Sequence, residues 1–521
     1  MLLDPLSERA TSHNGNGEGL FGARSCETGM ELSNTLHGVK ERVAGDRRFL
    51  LALSAVASAL SLLFFNSEQR RVALPILVIV NVAFALMASI WGREDGEPVP
   101  LFEIGTIYCA ALTLYSLVPF LNYLLAGMKW TALSDTRLLA YDSPPAEVGR
   151  FAWNYVVYLS SFAAVYLWAR GKPASQKRVA VIDDSPPLVL VVLPLVALLV
   201  YFYLLNTVWG VDASPGYSKI SDTMLNLKRL PLVVYQISSH LRGILLILKI
   251  ALLILLFERW EAKRWRTVLC LWLALETAHT ILNLGARFET ALLLLSALLC
   301  YHRFVKPIRL SQAIAAGFLF IAGFQIMGMA RNYALKGNRP VPSLTFRSVA
   351  SATNEFQSIF ATAYDLDQMK KAGQLENVPA QLYVSDFLMP VPQQLLSVKK
   401  IEPAEWYLEV SGIEGRTGYM FGVIAQSVVG FGLLELALRG ALVGVLFGWA
   451  QRCYARRSSR FLPTLLYIWL CVWSYYTFRA STFYLLSPAI YRVLPVVALI
   501  YFGVRLKARL RRNIGQDRPA L

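Results

Sequence analysis

Leu188-Val189-Leu190-Val191-Val192-Leu193-Pro194-Leu195-Val196-Ala197-Leu198-Leu199-Val200-Tyr201-Phe202-Tyr203-Leu204-Leu205 carries no charged side chain over a length that matches the hydrocarbon core of a bilayer. A helix that is apolar on every face has no side to turn to water, so the stretch reads as a membrane span. Similar runs recur outward from it in both directions. They predict an all-α, polytopic membrane protein with twelve spans, near 49–65, 72–91, 101–126, 151–169, 187–206, 231–257, 267–284, 288–304, 310–330, 421–449, 461–478 and 484–504. The composition agrees: of 521 residues 55% are hydrophobic and only 16% charged, unlike a chain of soluble domains.

The formal charge of +17 raises the question of nucleic acid. However, the basic residues gather at the ends of apolar runs rather than in aromatic-interleaved patches, so membrane topology accounts for them and no nucleic-acid partner is expected. Arg170, Lys172, Lys177 and Arg178 follow span four, and Arg259, Lys263, Arg264 and Arg266 follow span six. Arg303, Lys306 and Arg309 follow span eight, Arg452, Arg456, Arg457 and Arg460 follow span ten, and Arg505 through Arg512 close the chain. All fall on one side, which the positive-inside rule makes cytoplasmic together with both termini. The short loop 66–71, with Arg70 and Arg71, runs mildly against this.

The chain divides accordingly. Residues 1–48, polar and rich in Gly, Ser and Asn, are expected to form a disordered cytoplasmic tail without a cleavable signal peptide. Spans one to nine occupy 49–330, a large external loop 331–420, spans ten to twelve 421–504 and a basic cytoplasmic tail 505–521. The loop is rich in Tyr, Phe and Pro and too apolar for a linker. At that length it is expected to be functional and to hold short helices, notably around 348–371. The six cysteines are scattered without CxxC or zinc spacing, so neither disulfides nor a metal site are expected. No internal repeat of the inverted transporter kind is visible.

Ionisable groups inside spans are costly and point to function or to specific packing. In span seven Glu276, His279, Thr280, Asn283 and Arg287 lie at i, i+3, i+4, i+7 and i+11, one polar stripe leading to the outer end. The stripe is either an interhelical hydrogen-bond seam or a substrate-facing surface. Arg287, Arg331 and Arg479 each end a span on the outer side. Guanidinium forks match phosphate geometry, although a terminal arginine also snorkels to the interface. Glu435 and Arg439, at i and i+4 in the middle of expected span ten, read as an internal ion pair that fixes packing. Arg492, between Pro488 and Pro495, suits a structural and a functional role equally, and His240 with Gln236 reads as structural. Asp365-Leu366-Asp367 matches the DxD of sugar-nucleotide transferases only formally. No phosphate-binding P-loop, HExxH or GxSxG is present.

From span seven onward the sequence resembles the O-antigen polymerase family, the oligosaccharide repeat-unit polymerases. The resemblance is carried by Leu284-Gly285-Ala286-Arg287, Tyr301-His302-Arg303, Met329-Ala330-Arg331, Asn354-Glu355-Phe356 and Phe387-Leu388-Met389-Pro390 with Lys399-Lys400. Gly418-Tyr419-Met420-Phe421-Gly422, Val429-Gly430-Phe431-Gly432 and Arg479-Ala480-Ser481 complete it, in the same order relative to the spans. It implies a glycosyltransferase of the bacterial inner membrane, acting on its periplasmic side in O-antigen, capsule or exopolysaccharide synthesis. The substrate implied is undecaprenyl-pyrophosphate-linked oligosaccharide, with membrane lipid around it, a chain-length regulator and a flippase as partners, and no cofactor. Arg287, Arg331 and Arg479 would neutralise the departing pyrophosphate and Glu355 would take the acceptor proton. Lys399, Lys400, Arg416, Tyr419, Glu276 and His279 would contact substrate. Gln426 departs from the pattern, standing where many members have a carboxylate.

Two other readings compete. O-antigen ligases resemble one another in a histidine within the large external loop, whereas here His13, His37, His240, His279 and His302 all lie outside 331–420. A lipid-linked sugar flippase would have no dominant external loop. Transferases with a catalytic acid in a long first external loop do not fit a first loop of 66–71.

Overall fold

The computed structural model describes residues 54–91, 102–130, 136–171, 182–208, 232–283, 287–308, 312–323, 354–375, 380–412 and 421–516, with short interruptions. The expected tail 1–48, most of expected span nine and Arg331, Arg416 and Tyr419 lie outside the described residues. So do the side chains of Arg287, His279 and Glu355.

Every described element is helical. In chain order they are α1 Ser67–Trp91, α2 Ile104–Leu125, a 3-10 turn Thr136–Ala140, α3 Pro145–Arg170, α4 Leu188–Val208, α5 Leu232–Glu258, α6 Lys263–Asn283 and α7 Arg287–Phe304. Three shorter helices follow, α8 Asn354–Lys371, α9 Ala380–Phe387 and α10 Pro403–Ser411. The last group comprises α11 Val423–Val429, α12 Leu433–Arg456, α13 Phe461–Trp473, α14 Tyr476–Arg479 and α15 Leu486–Pro488. A π turn Ala489–Val493 and α16 Leu494–Gln516 end it.

Among the described residues, five segments are long and apolar enough to cross a membrane: Ser67–Ile90, Ile104–Leu125, His240–Glu258, Leu433–Arg456 and Leu486–Leu506. Leu188–Leu204, Ala291–Phe304 and Phe461–Trp473 are shorter apolar helices. Large apolar side chains such as Val189, Leu193, Tyr203, Leu434, Trp449 and Phe502 face outward. That is the surface of a membrane-embedded bundle, since water would not tolerate so continuous an apolar exterior.

The closest helix pair is α3 with α12. Gly440, Gly444 and Gly448 repeat every four residues and so share one face of α12. A Cβ would lie 2.6 Å from Tyr158 O at Gly440, 2.8 Å from Phe162 O at Gly444 and 2.7 Å from Ala169 Cβ at Gly448. The missing side chains let the two backbones touch, which is how helices gain dispersion energy inside lipid. An aromatic core fills in beside this seam: Tyr108 meets Phe162 and Phe447 edge-on, at 4.7 and 5.1 Å between ring centroids.

Two expectations are corrected. Expected span ten is not continuous. Gly432, at φ 62°, breaks it by donating its N–H to Ser427 O at 2.7 Å, so α11 stops and α12 starts afresh. Glu435 and Arg439 therefore occupy the first two turns of α12 rather than the middle of a span. Arg170, counted among the flanking cations, is buried at 3% exposure and paired with Glu103, with Nε 2.6 Å from Oε2. As a neutralised pair it says nothing about orientation.

Candidate functional site

Helices α8, α9 and α10 belong to the region expected as a loop, and they are packed onto the bundle. The aromatic side of α8 supplies Phe360 and Tyr364, which stack on each other and meet Phe151 of α3 edge-on at 5.4 and 5.2 Å. Arg137 clamps the other side, donating to Thr362 Oγ1 at 2.8 Å, Tyr407 Oη at 3.0 Å and Ser358 O at 3.2 Å. Asp365 accepts from the Tyr141 and Tyr407 hydroxyls, and Asp367 pairs with Lys371. Asp365 of the formal DxD thus ties α8 to its neighbours, whereas Asp367 is engaged within α8 itself. Burial and the Asp365 carboxylate together raise the Tyr141 hydroxyl above its ordinary range. Lys370 donates to Val428 O at 2.8 Å and reaches the carbonyls of Val429 and Gly430, closing the C-terminal end of α11.

Beyond α13 the helix comes apart. Ser474 and Thr477 turn their hydroxyls back to the carbonyls of Cys471 and Ser474 at 2.9 and 2.8 Å, a local competition that loosens helix geometry. The four-residue α14 then carries Arg479 inward, and its guanidinium lies 5.5 Å from the centre of the Tyr476 ring. Two residues on, the Ser481 hydroxyl donates to Asp386 of α9.

Asp386 opens a buried ionic cluster. Arg439 donates through one terminal nitrogen to Thr482 Oγ1 at 2.8 Å and Asp386 Oδ2 at 3.3 Å, and through Nε to Glu435 Oε1 at 2.8 Å. Glu435 Oε2 further accepts from Tyr383 Oη at 2.8 Å and from the Phe431 N–H at 3.1 Å. Two carboxylates against one guanidinium give the cluster an excess acceptor, unlike the isolated pair expected from spacing. A groove of about 460 Å³ opens over it, walled by Phe431, Leu434, Leu438, Leu442 and Phe483, with Glu435, Arg439, Tyr383 and Thr482 at its base. The surface this groove presents is almost wholly apolar, so it can seat a hydrocarbon chain, with the Glu435–Arg439 pair among its lining residues.

The remaining expected residues are distributed. Glu276 pairs with Lys249 of α5 at 2.6 Å and accepts from Trp272 Nε1 at 3.3 Å, an α5–α6 contact. Lys400 donates to the carbonyls of Met389 and Val391, and burial lowers its ammonium below the ordinary lysine range. Lys399 is exposed. Arg287 begins α7 and Glu355 lies in the first turn of α8. Among the described expected residues, Arg479 adjoins the cluster along the chain, two residues before Ser481. Asp386, Thr482 and Tyr383 carry no sequence signal of their own, although Asp386 and Thr482 border the quoted runs Phe387-Leu388-Met389-Pro390 and Arg479-Ala480-Ser481. No protein-family model, curated protein or solved structure matches this chain.

Proposed function

We propose that this chain is a polymerase of the bacterial inner membrane, with about twelve spans, that joins undecaprenyl-pyrophosphate-linked oligosaccharide repeat units at the periplasmic face. The observation that carries the reading is the apolar groove ending on the Asp386–Arg439–Glu435 cluster beside the broken helix of Arg479. A polyprenyl-linked sugar needs both parts, an apolar wall for its chain and fixed polar groups at its reacting end.

In this reading the acceptor hydroxyl attacks the anomeric carbon of the donor sugar. The bond from that carbon to the pyrophosphate oxygen breaks, and the hydroxyl proton passes to a carboxylate. Glu355 and Asp386 are the two candidates for that carboxylate. Arg479, with Arg287 and Arg331, offsets the charge that grows on the departing undecaprenyl pyrophosphate. The absence of histidine from 331–420 favours polymerase over ligase.

The test is the glycan profile of a deletion strain complemented with variants. One lipid-linked repeat without a ladder is expected in the deletion, and a full ladder in that strain overturns the reading. Arg479→Ala is expected to lose the ladder at normal membrane abundance, because a contact worth roughly 2–4 kcal/mol is about 30- to 1000-fold in rate. Arg479→Lys keeps the charge without the fork and is expected to recover part of it.

A further inference from the structure

The last helix carries a half-buried cation of its own. Arg492 lies in the π turn Ala489–Val493, six residues into the membrane-length segment Leu486–Leu506 and about 9 Å along it. Two buried arginines of the bundle are neutralised, Arg170 by Glu103 and Arg439 by Glu435 and Asp386. Arg492 is treated differently. Among the described residues it forms no ion pair, and its Nε, shut off from solvent, has no hydrogen-bond partner.

Its surroundings make room for this charge without cancelling it. The side chain crosses to α5 over Gly243, where a Cβ would fall 2.6 Å from that Nε and 2.8 Å from Cγ. His240, one turn earlier on the same face of α5, stacks on Tyr491 with 4.8 Å between ring centroids, and its buried Nδ1 is also unpartnered. The Trp473 ring lies 5.9 Å from the Arg492 guanidinium carbon. Tyr491 fixes the turn by donating to Pro390 O at 2.6 Å. A π turn widens a helix and exposes its backbone, which is why such turns concentrate at ligand sites. An unneutralised guanidinium held at this depth is complementary to a phosphate oxygen pair.

We infer that Arg492, with His240 beside it, forms a binding position for a phosphate-bearing anion between α5 and the π turn, built from residues other than those of the groove. It requires no glycosyl transfer and stands apart from the polymerase reading. Two sources share the chemistry, a lipid phosphate headgroup and a free phosphate or pyrophosphate.

The experiment titrates purified full-length protein with phosphatidic acid and, separately, with inorganic pyrophosphate, counting bound adducts by native mass spectrometry. Arg492→Ala is expected to weaken binding about tenfold to a hundredfold. Gly243→Ala, which displaces the Arg492 side chain without removing a polar group, is expected to act in the same direction. Arg505→Ala, which removes one exposed arginine from the far end of the same helix, is expected to bind as wild type. Loss confined to phosphatidic acid assigns the source to lipid, and loss with pyrophosphate assigns it to soluble anions. Equal binding by wild type and Gly243→Ala for both probes overturns the inference, including where Arg492→Ala does not fold. An intact ladder in the deletion strain alongside Arg492-dependent binding would sink the polymerase reading and leave this site standing.

Discussion

Exchanging the charges of Glu435 and Arg439 is expected to destabilise the protein more than removing either charge alone. Spacing by itself argues the opposite, since an isolated i, i+4 pair tolerates reversal. The structure changes the sign through the outer contacts of each partner. Removing the cation with Arg439→Ala leaves Glu435 and Asp386 as buried carboxylates, a loss of about 3–5 kcal/mol. The double variant Glu435→Arg with Arg439→Glu suffers that loss too, because a carboxylate now faces Asp386 where the guanidinium stood at 3.3 Å. It also deprives the Phe431 N–H of its acceptor, a further 1–3 kcal/mol or so. Glu435→Gln keeps an acceptor oxygen and is expected to be the mildest of the set. Buried Cys109, Cys300 and Cys471 supply the assay, because a thiol-reactive fluorophore reports their exposure as the detergent-solubilised protein is heated. If the double exchange melted above Arg439→Ala, the contacts to Asp386 and Phe431 would contribute nothing and the isolated-pair picture would be right.

Gly444→Leu is expected to lower the same melting transition strongly, since overpacking costs about 1–3 kcal/mol or more and its Cβ would meet Phe162 O at 2.8 Å. Gly317→Ala, with no described atom within 4 Å of its Cβ, is the silent control. Lys370→Ala removes the donor to the end of α11 and is expected to cost about 1 kcal/mol, most of it restored by Arg. Burial pushes the Tyr364 hydroxyl from 10.0 up to about 12. The folded chain therefore keeps a proton that the unfolded chain gives up first, so this share of stability is full below pH 10 and is lost as pH rises towards 12. Unfolding titrations over that window should show a shallower slope for Tyr364→Phe. Reporter fusions after residues 375 and 457 should mark opposite sides of the membrane, periplasmic and cytoplasmic respectively; the same side for both would undo the proposed topology.

The membrane helices were legible because one signal, unbroken apolarity, both inserts a segment and defines its ends. Expected spans 72–91 and 101–126 lie within a few residues of α1 and α2 for that reason. The break between α11 and α12 was not legible. Val423–Val429 and Leu433 onward are apolar on both sides of it, and the deciding fact is the positive φ of Gly432, a property of the backbone. The Glu435–Arg439 contact was readable since four residues bring side chains together on any helix. Asp386, 53 residues from Arg439, reaches it only through tertiary packing. Glu276 stood out as a charge in a span, but its partner Lys249 lies on another helix and at no fixed spacing. Charge near a helix end was read as orientation, which failed for Arg170 because Glu103 meets it inside the protein.

The glycine seam also has a consequence for biosynthesis. Its two strips of backbone lie far apart in the chain, and at one end of it the Arg452 Nε reaches Arg170 O across 282 residues. When α3 leaves the ribosome, its mate has yet to be translated. For most of synthesis the α3 face that carries Ser161, Val165 and Ala169 is without the glycine strip it packs on. The bundle can lock only when α12 arrives, so a ribosome stalled before residue 433 would release helices without their keystone.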